Sequence, residues 1–541
     1  MRQFEVSDTA MQTIQCMLGS LRAGVSADYT TPLISRSYSN DKDRGRSEMA
    51  TSVYDACHLS AAAPWLREWE DGKRLKHGTF SRRPGYAFDA TVGDSLEKLV
   101  RKYTAPRSPV RLCPHAVAYA DQAVACLYNV HRHGKLRLLD LVDAAVDYFP
   151  GKTGLGFPVM SSDKERHLYN VYQMSQEICD SGFNHGWIEQ FPAVLGTRGQ
   201  PRGPYLFAKS RVVFMMSRVL GNIEKCYQEV AQRALRESES FAAWVGQREV
   251  DRAITRLFFR GRERPVLSVD FKSFDSSVPR SIIDRVFSIM ASWFTGESAL
   301  LLDFCREVVN RAGLLVPDSY IHGDDRTGGV PSGCAGTNLV DSLVNWWVIH
   351  YAAKRLKSSV IAGMCQGDDG VATFQGNVRL EDIVSVVDRD LGMTVSSDKT
   401  LMRSDCVHFL QNVHHRDYVI DGLNVGVRPI MHLTNAMWSY ERIDGPDWIR
   451  PFDTLRWLQQ ISEAQHHPSF DRLCLWLQEK DGYLGEVLDR VINRDVVWLS
   501  RACAAVKKKM EWNSLVFTPM TLLSSPAVRK LAGLRGFQFG S

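Results

Sequence analysis

The tripeptide Gly-Asp-Asp occurs twice, at 323–325 within "SYIHGDDRTGG" and at 367–369 within "AGMCQGDDGVATF". Paired aspartates that bind a divalent ion need a rigid mount, and a tight turn between two buried strands supplies one when apolar residues flank it on both sides. Only the second copy meets that condition. Val360, Ile361, Ala362, Gly363, Met364 and Cys365 precede it, and Val371, Ala372, Thr373 and Phe374 follow, so Asp368 and Asp369 are expected at the tip of a core hairpin. The first copy is approached through Leu314, Leu315, Val316, Tyr320 and Ile321 but leaves through Arg326, Thr327, Gly328 and Gly329. That reads as a solvated turn followed by a glycine hinge.

Further acids lie upstream in "PVLSVDFKSFDSSVP". Alternation places Leu267 and Val269 on one strand face and Ser268 and Asp270 on the other, so Asp270 is expected to leave the strand end where it can meet Asp368. Asp275 follows past a turn, ahead of a helix beginning near Pro279 that carries Ile282, Ile283, Val286 and Met290 inward. In "GGVPSGCAGTNLVDSLVNWW" the glycines, Gly333 among them, make a pliant loop. Val340, Leu343, Val344 and Trp347 share a helix face, and Ser332, Thr337 and Asp341 fall outside it, free to face a ligand. Ser332 suits a helix cap equally well. Downstream, Leu380, Ile383, Val384, Val387 and Leu391 mark an amphipathic helix, followed by "MTVSSDKT" with Lys399 and by "VHFLQNVHH".

The order Asp-x4-Asp, Ser-Gly-x3-Thr, Gly-Asp-Asp, helix and Lys resembles that of the right-hand RNA-dependent RNA polymerases of RNA viruses. "DFKSFD", "GGVPSGCAGTNLVDSLVN", "GDD", "LGMTVSSDKT" and "FLQNVHH" are similar to their five successive palm motifs. Upstream, "TGLGFP" fits the fingers pattern T-x-x-G-x-P at Thr153, Gly156 and Pro158, and "AKSRVV" resembles the basic fingers motif with Lys209 and Arg211. Within that group "VPSG…DS" followed by "QGDDGV" is most similar to the picobirnavirus and partitivirus polymerases of double-stranded RNA viruses. One departure is Asp341, where picornavirus-like enzymes carry Asn beside the ribose-sensing acid.

The resemblance implies an α/β (α+β) right-hand fold, its palm an antiparallel sheet backed by helices. It implies template-directed RNA synthesis from ribonucleoside triphosphates with two Mg2+ ions, Mn2+ substituting, held by Asp270, Asp368 and Asp369. Lys399 would then be the general acid for pyrophosphate, and Lys209 and Arg211 would neutralise the triphosphate. Asp275, Ser332, Gly333, Thr337 and Asp341 would contact the nucleotide, and Thr153, Gly156, Arg198 and Arg202 the RNA. A reverse transcriptase shares the metal acids but places a bulky aromatic where Asp275 stands. An inactive palm-fold, capsid-associated subunit would tolerate loss of one metal acid or of Lys399. "PGKTG" is no phosphate-binding P-loop, since Val146 stands where that pattern requires glycine.

The elements that must position these residues fall into an N-terminal region linking fingers and thumb (1–100), fingers (101–260), palm (261–430, with a fingers insertion before 330) and thumb with a tail (431–541). "RSYSNDKDRGRSEMATS" reads as an exposed loop, and the segment beyond about 435 reads as helical, with "DTLRWLQQISEAQ" and "FDRLCLWLQEK". The net charge of +5 over 541 residues is small, so any RNA surface is expected to be a local channel. Twelve cysteines without a CxxC pair, and a start without a basic and apolar leader, suggest a reducing setting and no secretory signal. No apolar run approaches membrane-spanning length. The expected setting is the virion interior and host cytoplasm, as a monomer with RNA and a capsid protein as partners. The tail "SSPAVRKLAGLRGFQFGS" combines Arg529, Lys530 and Arg535 with Phe537 and Phe539. It suits either a single RNA strand or a strap packed on the thumb.

Overall fold

A computed structural model describes residues 64–77, 100–107, 109–147, 154–160, 164–200, 209–316, 319–397, 399–430, 451–501 and 524–537, with 2–3, 12, 32–33, 433 and 522; in a few of these stretches only the backbone is described. The polar segment 36–52, Thr153, Arg202 and Phe539 lie outside the described residues.

In chain order, the elements that matter here begin with α1 (Pro64–His77) and α2 (Pro114–Ala125). Strands β1 (Ala193–Gln200) and β2 (Lys209–Met215) lead into α3 (Arg218–Leu235) and α4 (Gln247–Gly261). Next come β3 (Val266–Val269), α5 (Arg280–Trp293), β4 (Leu314–Val316), β5 (Ser319–Ile321) and α6 (Thr337–Arg355). They are followed by β6 (Val360–Gln366), β7 (Asp369–Phe374), α7 (Leu380–Leu391) and β8 (Leu401–Arg403). The hairpin β9 (Cys406–Phe409) and β10 (Asn412–His415) precedes a helical end with α8 (Pro451–Glu463), α9 (Phe470–Lys480), α10 (Leu484–Ile492) and α11 (Pro526–Leu534).

Two four-stranded sheets organise the front of the molecule. The first has the order β8-β3-β7-β6 and is antiparallel throughout. Its central strand β3 is buried at all four residues, Ser268 included, whose hydroxyl accepts from the His408 amide. Alternation within "LSVD" is therefore not an inside–outside pattern, because strands and helices cover both faces. The second sheet has the order β2-β1-β4-β5, so two strands that follow α5 join two that precede α3.

Helix α6 also departs from the expected amphipathic stripe. Every residue from Leu339 to Ala353 is buried, because α6 sits between the first sheet and helices α2, α5 and α7. A helix covered on all sides carries no polar face to read. Helix α5 matches expectation: Pro279 precedes it, and Ile282, Ile283, Val286 and Met290 are buried.

Helices α8 to α11 share a separate core that includes Leu455, Leu473, Trp476, Val487 and Leu531. The tail reads as a strap on that core. Ala527, Val528, Leu531 and Ala532 of α11 are buried, and Lys530 and Arg535 pair with Asp471 and Asp489. Among the described residues no helix is long and apolar enough to cross a membrane.

Candidate active site

Register decides which acids meet. β3 pairs with β7 so that Val269 lies opposite Gly370, and one step further Asp270 leaves β3 beside Asp369, the first residue of β7. β6 and β7 close through a two-residue turn, Gln366 pairing with Asp369, and Gly367 takes a left-handed φ of +59° that suits a residue without Cβ. Helix α6 fixes that turn from behind. The Gly367 amide donates to Ser342 Oγ at 2.8 Å, and Asn345 Nδ2 donates to the Gly367 carbonyl at 3.1 Å. Sequence reasoning missed both clamps. Their only signal is their spacing of three, which puts them on one face of α6.

Asp270 is held by the segment that follows α7. Its amide donates to Thr400 Oγ1 at 3.1 Å, and its carbonyl accepts from the Ser396 amide at 2.7 Å. Lys399, in the same segment, places Nζ 3.1 and 3.2 Å from the two Asp270 carboxylate oxygens. Asp368 is exposed at the turn. The Asp369 carboxyl is pushed up to about 7, by burial first, then by Asp368 and Asp270, with Lys399 and the Leu410 amide opposing.

Among the described residues no three His, Cys, Asp or Glu side chains already converge as a metal cage. The donor chemistry nevertheless fits hard divalent ions: carboxylate oxygens from two adjoining strands, close enough that Asp368 and Asp270 raise the proton affinity of Asp369, on a turn pinned by α6. A divalent cation bound there would relieve the same repulsion.

A second group of acids adjoins the first. Asp275 lies in the helical turn Phe274–Ser277, and its carbonyl accepts from the Val330 amide at 2.6 Å. The hinge fits closely: a Cβ on Gly329 would stand 2.8 Å from the Asp275 carbonyl oxygen. Arg326, 1% exposed, donates from buried nitrogens to the carbonyls of Ala312 and Gly329 and lies over the Phe214 ring. Asp341 is 4% exposed and its Oδ1 has no hydrogen-bond partner. Burial, then Asp275 and Asp368, hold its carboxyl well above the usual range. Tyr103 stands beside both acids, its phenol pushed up by burial and then by Asp275. Nothing in the sequence marks Tyr103, which lies more than a hundred residues from either.

The loop before α6 is tightly seated. Ser332 Oγ accepts from the Phe214 amide, and Thr337 Oγ1 donates to the carbonyls of Pro331 and Cys334 at 2.7 and 2.9 Å. A Cβ on Gly333 would lie 1.9 Å from the Phe214 carbonyl oxygen, so only glycine fits. The hydroxyls of Ser332 and Thr337 are thus engaged within the loop and its neighbour β2. Gly156 is placed similarly, with φ +68°, and a Cβ there would stand 2.5 Å from the Met216 carbonyl oxygen.

On the hairpin β1–β2 the backbone alone is informative. Arg198 pairs with Arg211, and Gln200 with Lys209. Cross-strand partners share a face, as do residues two apart, so Arg198, Arg211 and Lys209 lie on one side of the hairpin. The first Gly-Asp-Asp forms a separate short turn, Gly323–Asp325, outside the β6–β7 hairpin. Asp324, 67% exposed, takes a two-point pair from Arg311 Nε and Nη2 at 2.8 and 3.2 Å, as a surface turn would.

The fold is similar to that of viral RNA-dependent RNA polymerases. Residues 222–429 match the family described as viral RNA-dependent RNA polymerase. The chain is 32% identical over 283 residues to the potential RNA-dependent RNA polymerase of Human picobirnavirus (strain Human/Thailand/Hy005102/-), covering 51% of this chain and 52% of that one. It is 25% identical over 297 residues to the RNA-directed RNA polymerase of Cryptosporidium parvum virus 1 (strain KSU-1), covering 52% and 53%. The chain therefore spans about half the length of these curated relatives. The crystal structure of a human picobirnavirus RNA-dependent RNA polymerase superimposes with a TM-score of 0.72 at 21% identity, over 94% of this chain and 95% of that one. Its insertion-loop deletion mutant gives 0.69. The likeness read from the palm motifs is borne out, and so is the expected mixed fold of antiparallel sheets backed by helices.

Proposed function

We propose that this protein copies an RNA template into RNA, adding ribonucleotides at the acids around the second Gly-Asp-Asp. The observation that carries this reading is the register that sets Asp270, the residue after β3, against Asp369 of β7, with Lys399 on Asp270. Bound divalent ions would stabilise the charge that develops on the attacking 3′-oxygen and on the leaving pyrophosphate.

The chain's own residues do the rest. Asp270, Asp368 and Asp369 are the carboxylates that would hold the ions. Lys399, half-exposed beside them, hands a proton to the departing pyrophosphate. Lys209 and Arg211 draw in the triphosphate from the shared face of the β1–β2 hairpin. Asp275 accepts a hydrogen bond from the ribose 2′-hydroxyl, with Asp341 and Tyr103 beside it, and an acid there favours ribose where an aromatic would exclude it. Gly333, Ser332 and Thr337 shape the loop against which the nucleotide lies. Gly156 and Arg198 contact the RNA, as would Thr153 and Arg202, which lie outside the described residues.

The same reading divides the chain into the N-terminal region, fingers, palm and thumb at 100, 260 and 430, with β4 and β5 as the fingers insertion. It makes the protein a monomeric replicase and transcriptase of a viral RNA genome, working inside a capsid and in the host cytoplasm. The viral polymerase names of its relatives support it. Incorporation of labelled ribo- and deoxyribonucleotides on primed RNA and DNA templates tests it. Ribonucleotide addition directed by RNA is expected, and a preference for deoxyribonucleotides would overturn it.

A further inference from the structure

Helix α3 starts two residues after β2, with Ser217 as its cap. One continuous segment therefore carries the basic strand and then the helix beneath the loop 331–336. On that helix Glu224 is fully buried, and its Oε2 accepts from the Ala335 amide at 2.9 Å. Its Oε1 is buried without a hydrogen-bond partner. Three residues on, Tyr227 is also fully buried with an unpartnered hydroxyl, and a Cβ on Gly336 would stand 2.2 Å from that oxygen. Glu224 and Tyr227 thus present one helix face to the loop, while the loop's other side is seated on Phe214 of β2. An acid buried at the joint between two machine parts is costly unless it has a task, since an apolar residue would fill the space without desolvation.

We propose, on the polymerase reading above, that Glu224 is a positioning residue for nucleotide addition: its carboxyl latches loop 331–336 against α3, and its ionisation releases that loop. The latch is closed while the acid is neutral, because a neutral carboxyl tolerates burial and still accepts from Ala335. Burial pushes it up to about 7, with the Ala335 amide, the Cys334 thiol and Lys225 opposing. The other titratable groups facing it are Tyr227 on its own helix and Cys305 on the helix Ala299–Arg311. Lys225 is drawn away by Gln228 and Glu229. The buried guanidinium of Arg326 is engaged with the carbonyls of Ala312 and Gly329, so an ionised Glu224 gains most by reaching water, which requires the loop to move. Stability of the closed loop is therefore full below the ordinary carboxylate range and falls as pH rises through about 7.

Two measurements on the full-length protein test this. Amide exchange across 332–336 in the ligand-free protein, corrected for intrinsic rate, should lose about ten-fold protection between about pH 6 and about pH 8.5. In Glu224→Gln, which keeps the acceptor but cannot ionise, protection should stay level. In primed incorporation, Glu224→Gln should flatten the alkaline rise in nucleotide KM, while Glu224→Ala should raise KM about five- to ten-fold with kcat within about two-fold. Should the alanine variant fail to fold, the glutamine variant alone decides. Wild-type pH dependence persisting in Glu224→Gln overturns the latch. Loss of the exchange step in Glu224→Gln, in a protein that incorporates no nucleotide, keeps the latch and overturns the polymerase reading instead.

Discussion

The ammonium of Lys399 lies 3.1 and 3.2 Å from the two carboxylate oxygens of Asp270. Lys399 and Asp270 are 47% and 29% exposed, so the pair is wet and weak, worth about 0.2–1 kcal/mol. It is strong enough to neutralise an acid cluster in the resting protein and weak enough to yield to a divalent ion. On the proposed function, lysine and metal would therefore compete for Asp270. Lys399→Met should tighten divalent-ion binding without nucleotide about two- to five-fold, measured by titration calorimetry, while slowing incorporation. Unchanged or weaker binding would sever the link between the pair and the metal.

The first Gly-Asp-Asp offers a contrast between backbone and side chains. A Cβ on Gly323 would lie 1.7 Å from the Arg311 carbonyl oxygen, whereas Asp324 holds only the exposed end of Arg311. Gly323→Ala should destabilise the protein by about 2–4 kcal/mol in denaturant unfolding. Asp324→Ala combined with Asp325→Ala should leave incorporation within a few-fold of wild type. A dead but fully stable double variant would reassign the chemistry to this turn.

Sugar choice should follow Asp275. Its replacement by Ala should relax discrimination against deoxyribonucleotides by more than it slows ribonucleotide addition, read as the ratio of the two kcat/KM values. Tyr103→Phe should shift the same ratio in the same direction by less, since it removes one hydroxyl beside Asp275 and Asp341. A uniform rate loss at an unchanged ratio in Asp275→Ala would contradict this role.

The tail helix should matter to the thumb's stability. Leu531 is buried among α8, α9 and α10, so Leu531→Ala should cost about 2–4 kcal/mol and lower the unfolding temperature. Removal of residues from 526 onward should depress primer-free initiation and primed elongation alike. A loss confined to initiation would return the tail to RNA.

Local chemistry made the acids around the second Gly-Asp-Asp legible. Apolar flanks and a glycine announced the hairpin at 367–370, and one strand's alternation placed Asp270 at its end. What the sequence concealed is what other elements impose. Ser268 read as lying on the face opposite Leu267 and Val269, and α6 as having one apolar stripe, because a pattern along one segment says nothing of how many neighbours cover it. Asp341 is buried for the same reason. Tyr103 and Glu224 reach their partners only through tertiary contact, Glu224 bonding a residue 111 positions away. No periodicity encodes such a meeting. The spacing of Ser342 and Asn345 was visible, but their task required knowing that α6 lies behind Gly367.

The most direct test is single-nucleotide extension of a primed RNA template with Mg2+, comparing wild type with Asp270→Asn and Asp368→Asn. Wild type should add the complementary ribonucleotide, and each variant should lose at least about a thousand-fold in rate with its unfolding temperature unchanged or raised, since each removes a repelling charge. Extension by either folded variant at a rate near wild type would contradict the assignment of the second Gly-Asp-Asp and its partner strand as the centre of RNA synthesis.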